Sequence, residues 1–207
     1  MLRPEAATCA FSGLFRACFR PDHDRKKSEI ISPFKVFPMS FSLYQASVPV
    51  YRKLLVAQVN LIEKAVANAE ARNFAPEILF TARLQPDMWS FSEQVKATTN
   101  HAFRGTARLA GLELPDIPEA VGTEAEMKSR IAATVAFIES VDPGAVNAGY
   151  DRVITFPIGA ESLTLTGVQY FQGFTLPNIF FHHTTAFNIL RLNGVPTSKL
   201  DDFIGGF

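Results

Sequence analysis

Cysteine is almost missing from this chain: Cys9 and Cys18 are the only two among 207 residues. Everything from Met39 onward lacks it, so that stretch builds neither a disulfide framework nor a thiolate metal site. Nine positions apart, Cys9 and Cys18 match no metal-ligand spacing. Long apolar runs are missing too. The longest, from Phe174 to Phe181, contains Pro177 and Asn178 and falls far short of the ~18–20 residues a membrane helix needs, so no membrane partner is expected. Net charge is absent, with 20 Lys and Arg against 20 Asp and Glu, and no nucleic-acid partner is expected. There is no Gly-rich phosphate loop, Gly-x-Ser-x-Gly elbow or Cys-x-x-Cys pair.

The neutral total hides an asymmetry. Residues before Met39 carry seven basic side chains against four acidic ones, a balance of +3, leaving −3 for the remainder. With 47% hydrophobic residues and this length, the chain has enough material for one domain with a real core, plus a tail.

Residues 1–38 show no sustained periodicity and end in Ser32-Pro33-Phe34-Lys35-Val36-Phe37-Pro38, so they are expected outside the fold as a disordered leader. A mitochondrial transit peptide is the alternative. Ala6 to Arg20 carries arginine and no acid, with Phe11, Leu14, Phe15 and Phe19 spaced for one helical face. Asp22, Asp24 and Glu29 weigh against it, and Met39 is an alternative start. The expected location is cytoplasmic, or mitochondrial if the leader is a transit peptide.

Residues 39–207 carry helical periodicity. In a first long helix, 43–70, Val50, Leu54, Ala57, Leu61, Ala65 and Ala69 recur at three- and four-residue steps. Pro49 is tolerable only in a first turn, so the residues before it are expected as a separate turn. A short helix over 76–82 precedes a second long helix, 90–110, whose buried stripe is Phe91, Val95, Ala102, Thr106 and Leu109 and whose stop is Gly111. Thr123 and Glu126 form a capping box for a third helix, which runs to about 141 with Met127, Ile131, Val135 and Ile138 inward and is closed by Asp142-Pro143-Gly144. The sole strand signals, Val153 to Phe156 and Ser162 to Leu165, read as a β-hairpin that must lie on the helices or on a partner. Thr166 caps a fourth helix, 167–193, which Pro177 should kink or split. Residues 196–207 read as an ordered-to-frayed tail. The expected fold is all-α: a four-helix bundle with a small hairpin between the third and fourth helices.

Several segments resemble one family. Leu84-Gln-Pro-Asp-Met88, Arg108-Leu-Ala-Gly111, Leu176-Pro-Asn-Ile-Phe-Phe-His182, Thr184-Thr-Ala186, Leu190-Arg-Leu-Asn-Gly-Val195 and 199–205 are similar to the DUF1993 family, a branch of the DinB/YfiT-like superfamily. The resemblance covers residue 39 onward and implies a DinB-like bundle. Better-understood superfamily members look like metal-dependent enzymes, some transferring small thiols. They hold a divalent metal through one histidine on the second helix and a His-x-x-x-His pair on the fourth. Here Trp89-Ser-Phe-Ser-Glu93 resembles the opening of that second helix, which puts Ala97 where the histidine would stand. His182 has Asn178 four residues before it and Ala186 four after it. At most one of three ligands survives, so no metal or other cofactor is expected.

His182 is the leading site residue, as a general base or as a hydrogen-bonded core histidine. Asp87 is either a carboxylate orienting His182 or a helix cap. Asn178 and Trp89 complete a candidate small-molecule pocket between the second and fourth helices, although an amide near Pro177 also suits a backbone carbonyl and a lone tryptophan also suits a core or interface. His183 is expected at the surface or an interface. His101, four residues after Ala97 and so on roughly the same helix face, either replaces the missing ligand or, between Asn100 and Arg104, lies at the surface. Arg191 is expected to pair with an acid or with the C-terminal tail. The dense aromatics of the fourth helix also suit a homodimer interface. The expected function is small-molecule binding at a remodelled DinB-like site, with a non-catalytic homodimeric module as the alternative.

Overall fold

A computed structural model describes residues 42–199; the expectations for the leader, its cysteines and the end of the tail lie outside the described residues. Four long helical segments carry the fold. They are α1 (Leu43–Ala71), α3 (Phe91–Ala110), α4 (Glu124–Ser140) and the run ending in α7 (Leu176–Leu192). The short helices α2 (Glu77–Phe80) and α5 (Pro143–Asn147) lie in the connections. Around the bundle, α3 packs on α4 and α7, and α1 packs on the same two, so α1 and α3 face each other across the interior. Among the described residues no helix is long and apolar enough to cross a membrane.

The helix ends follow from local chemistry. Ser42 accepts the Gln45 amide to start α1, and the Thr123–Glu126 capping box starts α4 as the sequence implied. Gly111, at φ +71°, ends α3 in the left-handed conformation that suits glycine. Two expectations are corrected. Pro49 lies inside an unbroken α1 rather than after a separate turn. It is exposed, as is Gln45 four residues earlier, so the carbonyl that loses its amide donor is on the water side. Asp142 does more than close α4, because its side chain accepts the Ala145 amide and starts α5.

The core stripes are mostly those read from periodicity: Leu54, Ala57, Leu61, Ala65 and Ala69 on α1, and Phe91, Val95, Ala102, Thr106 and Leu109 on α3. In α3 the burial goes further, since almost every side is covered. A polar thread crosses the interior: the Gln58 amide donates to Thr98 Oγ1 at 2.9 Å, and that hydroxyl donates to the Gln94 carbonyl. Arg130 of α4 is fully buried. It donates to Thr99 Oγ1 at 2.7 Å, Asn100 Oδ1 at 2.6 Å and the Pro118 carbonyl, tying the proline-bearing loop to α3.

The antiparallel hairpin pairs β1 (Val153–Ile158) with β2 (Glu161–Thr166) through a two-residue turn. Ile154 and Phe156 turn inward, and Phe156 packs on Tyr170 and Phe174, so the hairpin lies on the helices. The fourth helical run divides as Pro177 required, but upstream of the proline. α6 (Gly167–Tyr170) passes into a π-helical turn (Phe171–Thr175), in which the Leu176 amide reaches back five residues to the Phe171 carbonyl, before α7 begins. A proline within a regular helix orphans the carbonyl four residues before it and crowds it. The wider turn resets the register ahead of Pro177.

That turn puts Thr175 against Gly105 of α3, where an added Cβ would meet Thr175 Cγ2 at 2.6 Å. Gly105→Ala should therefore destabilise the fold by about 1–3 kcal/mol through overpacking. Thr175→Ser, which removes the obstructing methyl, should recover much of that loss in the double variant. Urea unfolding of the four proteins measures the coupling, and an additive pair would refute the contact.

Candidate functional site

The site is assembled where the start of α3 meets the middle of α7. Ser90 closes the α3 N-terminus through a capping box, its hydroxyl accepting the Glu93 amide while Glu93 Oε2 accepts the Ser90 amide at 2.7 Å. The Ser90 amide and hydroxyl, both donating to Glu93 Oε2, hold the Glu93 carboxyl below its ordinary range, with Arg83 and Lys96 adding to the effect. The cap fixes Trp89, the residue before it, at the exposed edge of this junction. One residue past Glu93, the Gln94 amide nitrogen donates to the Trp89 carbonyl at 3.2 Å. That bond orients the amide, so Gln94 Oε1 is the atom that faces His182 Nδ1 at 2.7 Å. An oxygen can only accept; His182 therefore carries its proton on Nδ1 and leaves Nε2 as a lone-pair acceptor.

His182 is only 8% exposed. Its ring stacks on Trp89 at 5.4 Å and on His101 at 5.4 Å, with interplanar angles of 16° and 15°. Trp89 lies just ahead of the α3 cap and His101 near the middle of α3, so the two reach His182 from different parts of the chain. The row continues through Phe174, edge-on to His101 at 5.5 Å, to Phe156 and Tyr170. Trp89 at 53% and Phe181 at 55% remain open to solvent, and Phe181 meets the His182 ring edge-on at 5.3 Å. Arg108 closes the far end. Its guanidinium lies over Phe156 and Tyr170 and donates to the Tyr170 hydroxyl at 3.0 Å.

Burial decides the charge state. Loss of water pushes both His101 and His182 down to about 4, and for His101 the neighbouring His182, Arg104 and Arg108 add repulsion. Both rings are neutral at neutral pH.

Several site expectations change. Asp87 is exposed and is neither the α3 cap, which is Ser90, nor the partner of His182, which is Gln94. His101 is half-buried in the ring row rather than at the surface, because Phe174 of the π turn and His182 of α7 cover it and Asn100 beside it serves Arg130. His183 is fully buried rather than at a surface, since α7 packs against both α1 and α3 and encloses adjacent positions. Trp89 is neither core nor plain surface, but stacks on His182 with half its area open. Asn178 donates to the Phe174 carbonyl at 2.7 Å, and Arg191 donates to the Thr197 carbonyl in the tail. Gln94 went unnoticed in the sequence. The signal that finds it is position: it lies on the first turn of α3, next to a capping box.

The residues do not fit a three-histidine metal centre. Ala97 and Ala186 offer methyl groups, and Asn178 holds a backbone carbonyl. A ligating imidazole places the ion in its own ring plane ~2 Å from nitrogen. The stacked planes of His101 and His182, tilted by 15°, do not converge at that range.

This architecture is that of a DinB-like helical bundle. A crystal structure of a DinB family member protein from Shewanella denitrificans is similar, with a TM-score of 0.71 and 30% identity, covering 80% of this chain and 93% of that one. Residues 43–204 match the family described as "Domain of unknown function (DUF1993)", and the chain belongs to the DUF1993 family. No curated protein matches.

Acid titration tests the site. The Hε1 resonances of His101 and His182 should titrate near 4 rather than near 6.5. Between those values the unfolded chain binds protons that the folded one refuses, so stability is full above about 6.5 and falls as the pH drops toward about 4. His182→Asn should flatten part of that slope in denaturant unfolding, and an unchanged slope would contradict the burial argument.

Proposed function

We propose that the groove between α3 and α7 binds a small molecule through His182 and its ring row, and that the superfamily's three-histidine metal centre is not retained. One observation carries the reading: the chain Trp89 carbonyl–Gln94 amide–His182 presents Nε2 as a fixed, uncharged acceptor. Pre-orienting a polar group beside apolar rings is what a small-molecule site requires. A histidine titrating near 4 is protonated at neutral pH to only on the order of one part in a thousand. Such a group is a weak base, which favours a binding acceptor over a general base.

Benzamide, a neutral ring with an amide donor, is a suitable probe. In NMR titration it should shift the His182 and Trp89 side-chain resonances. Gln94→Leu, which frees the imidazole to rotate, should weaken binding about tenfold. Absence of any shift at ~10 mM, where even weak sites fill, would overturn the reading.

A second reading rests on the exposure of Trp89 and Phe181, which flank one buried histidine. A second copy of the chain covering that patch would make a homodimer and close the groove. Sedimentation velocity should then show a dimer that Phe181→Glu dissociates. A monomer for the unmodified protein would remove this reading.

A further inference from the structure

α3 reaches solvent along one strip only, formed by residues 93, 96, 100, 101, 104 and 108. Three of these six are cations: Lys96, Arg104 and Arg108. The buried Arg130 of α4 adds a fourth positive group beside the strip, through its bond to Asn100. Glu119 is the carboxylate that faces them, and it is already engaged, with Lys96 at 2.6 Å and Arg130 at 3.8 Å. Glu93 is held at the other end of the strip by Ser90 and Arg83. This positive surplus stands on a body that carries thirteen basic against sixteen acidic residues from Met39 onward, so general composition does not account for it.

Arg104 is the focus. With His101 and Arg108 it follows helical spacing along one face. Its Nε is enclosed and has no hydrogen-bond partner among the described residues. A buried guanidinium donor without an acceptor is costly, and an oxyanion relieves that cost with a charge-assisted bond. Arg108 spans the gap to Tyr170 and brings a second positive charge to the same side of His101. The apolar wall opposite is Phe174, edge-on to His101.

We infer that the α3/α7 groove takes a small organic anion, its oxyanion head at Arg104 and Arg108 and its apolar body against Phe174 and the stacked histidines. The inference rests on the small-molecule reading of the same groove and adds the ligand's charge to it. Guanidinium forks match planar carboxylates and tetrahedral phosphates alike, so the head group is left to the test.

Isothermal titration of the full chain with benzoate, phenyl phosphate and benzamide separates the possibilities. These probes share a ring and differ in head group. The anions should bind at least about tenfold more tightly than benzamide, the gain expected of a charge-assisted bond over a neutral one. The better of the two anions identifies the head group. Arg104→Gln should remove that advantage while leaving benzamide affinity unchanged, and Arg52→Gln, in a surface pair with Glu139 on the α1/α4 side, should change neither. If Arg104→Gln fails to fold, salt dependence of the unmodified protein serves instead: anion affinity should fall with added sodium chloride while benzamide affinity holds. Benzamide binding as tightly as the anions would overturn the anion assignment and leave the small-molecule reading intact. Failure of all three probes to bind would overturn both. Anion binding unaffected by Arg104→Gln in a folded variant would overturn the assignment to this strip.

Discussion

The close approach of α7 to α3 is the constraint from which the rest follows. Gly105 on α3 leaves no room for even one added carbon against Thr175, and Ala97, buried nearer the helix start, is also small. Small residues on one helix let a neighbour carrying large side chains settle into it. Here the facing side chains are Phe174 and Thr175 of the π turn and His182 of α7. The helices run antiparallel, which brings the beginning of α3 to the middle of α7 and the end of α3 to the π turn. Trp89 and Gln94 therefore meet His182, while His101 meets Phe174 and Arg108 meets Tyr170.

Two local devices set the register of this contact. At the α3 start, a capping box fixes where the helix begins and hence where Gln94 points. In the fourth run, the π turn absorbs the disturbance of Pro177 before α7 begins, so Asn178 and His182 emerge on a regular helix. A slip of one residue on either helix would rotate its side chains by about 100°, separating His182 from Gln94. The Gln94–His182 bond is then both a consequence of the packing and a lock upon it. It also defines the chemistry, since it dictates which imidazole nitrogen is free.

Electrostatics completes the site. A histidine pair desolvated beside two arginines stays neutral at neutral pH. The chain belongs to the DUF1993 family and shares its bundle with a DinB family member. Within that scaffold the ring row gathers Trp89, His182 and His101 at the junction of α3 with the fourth helical run. Scaffold and site chemistry are thus separable: the bundle depends on buried apolar stripes, while the groove depends on a few polar residues at one helix junction.

Much of the scaffold was legible in the sequence. Apolar residues at three- and four-residue steps require a helix with one buried face, and Thr123–Glu126, Thr166, Gly111 and Pro177 punctuate those helices through local backbone chemistry that needs no partner. His182 and Trp89 were legible as candidates because each is a rare residue beside a helix landmark. Periodicity could not say how many neighbours a helix would have. His183 is covered because α7 contacts two helices, and His101 because Phe174 of the π turn and His182 of α7 lie over it, facts of assembly rather than of spacing. Nor could Gln94 be chosen over Asp87, since both lie near the start of α3 and a side chain's partner 88 positions away is set by packing. The sequence by itself determined the helices and their caps, because those depend on residues within a few positions of one another. Only the tertiary structure decided which groups meet in the groove and with what charge, because desolvation and hydrogen bonding there depend on atoms from distant parts of the chain.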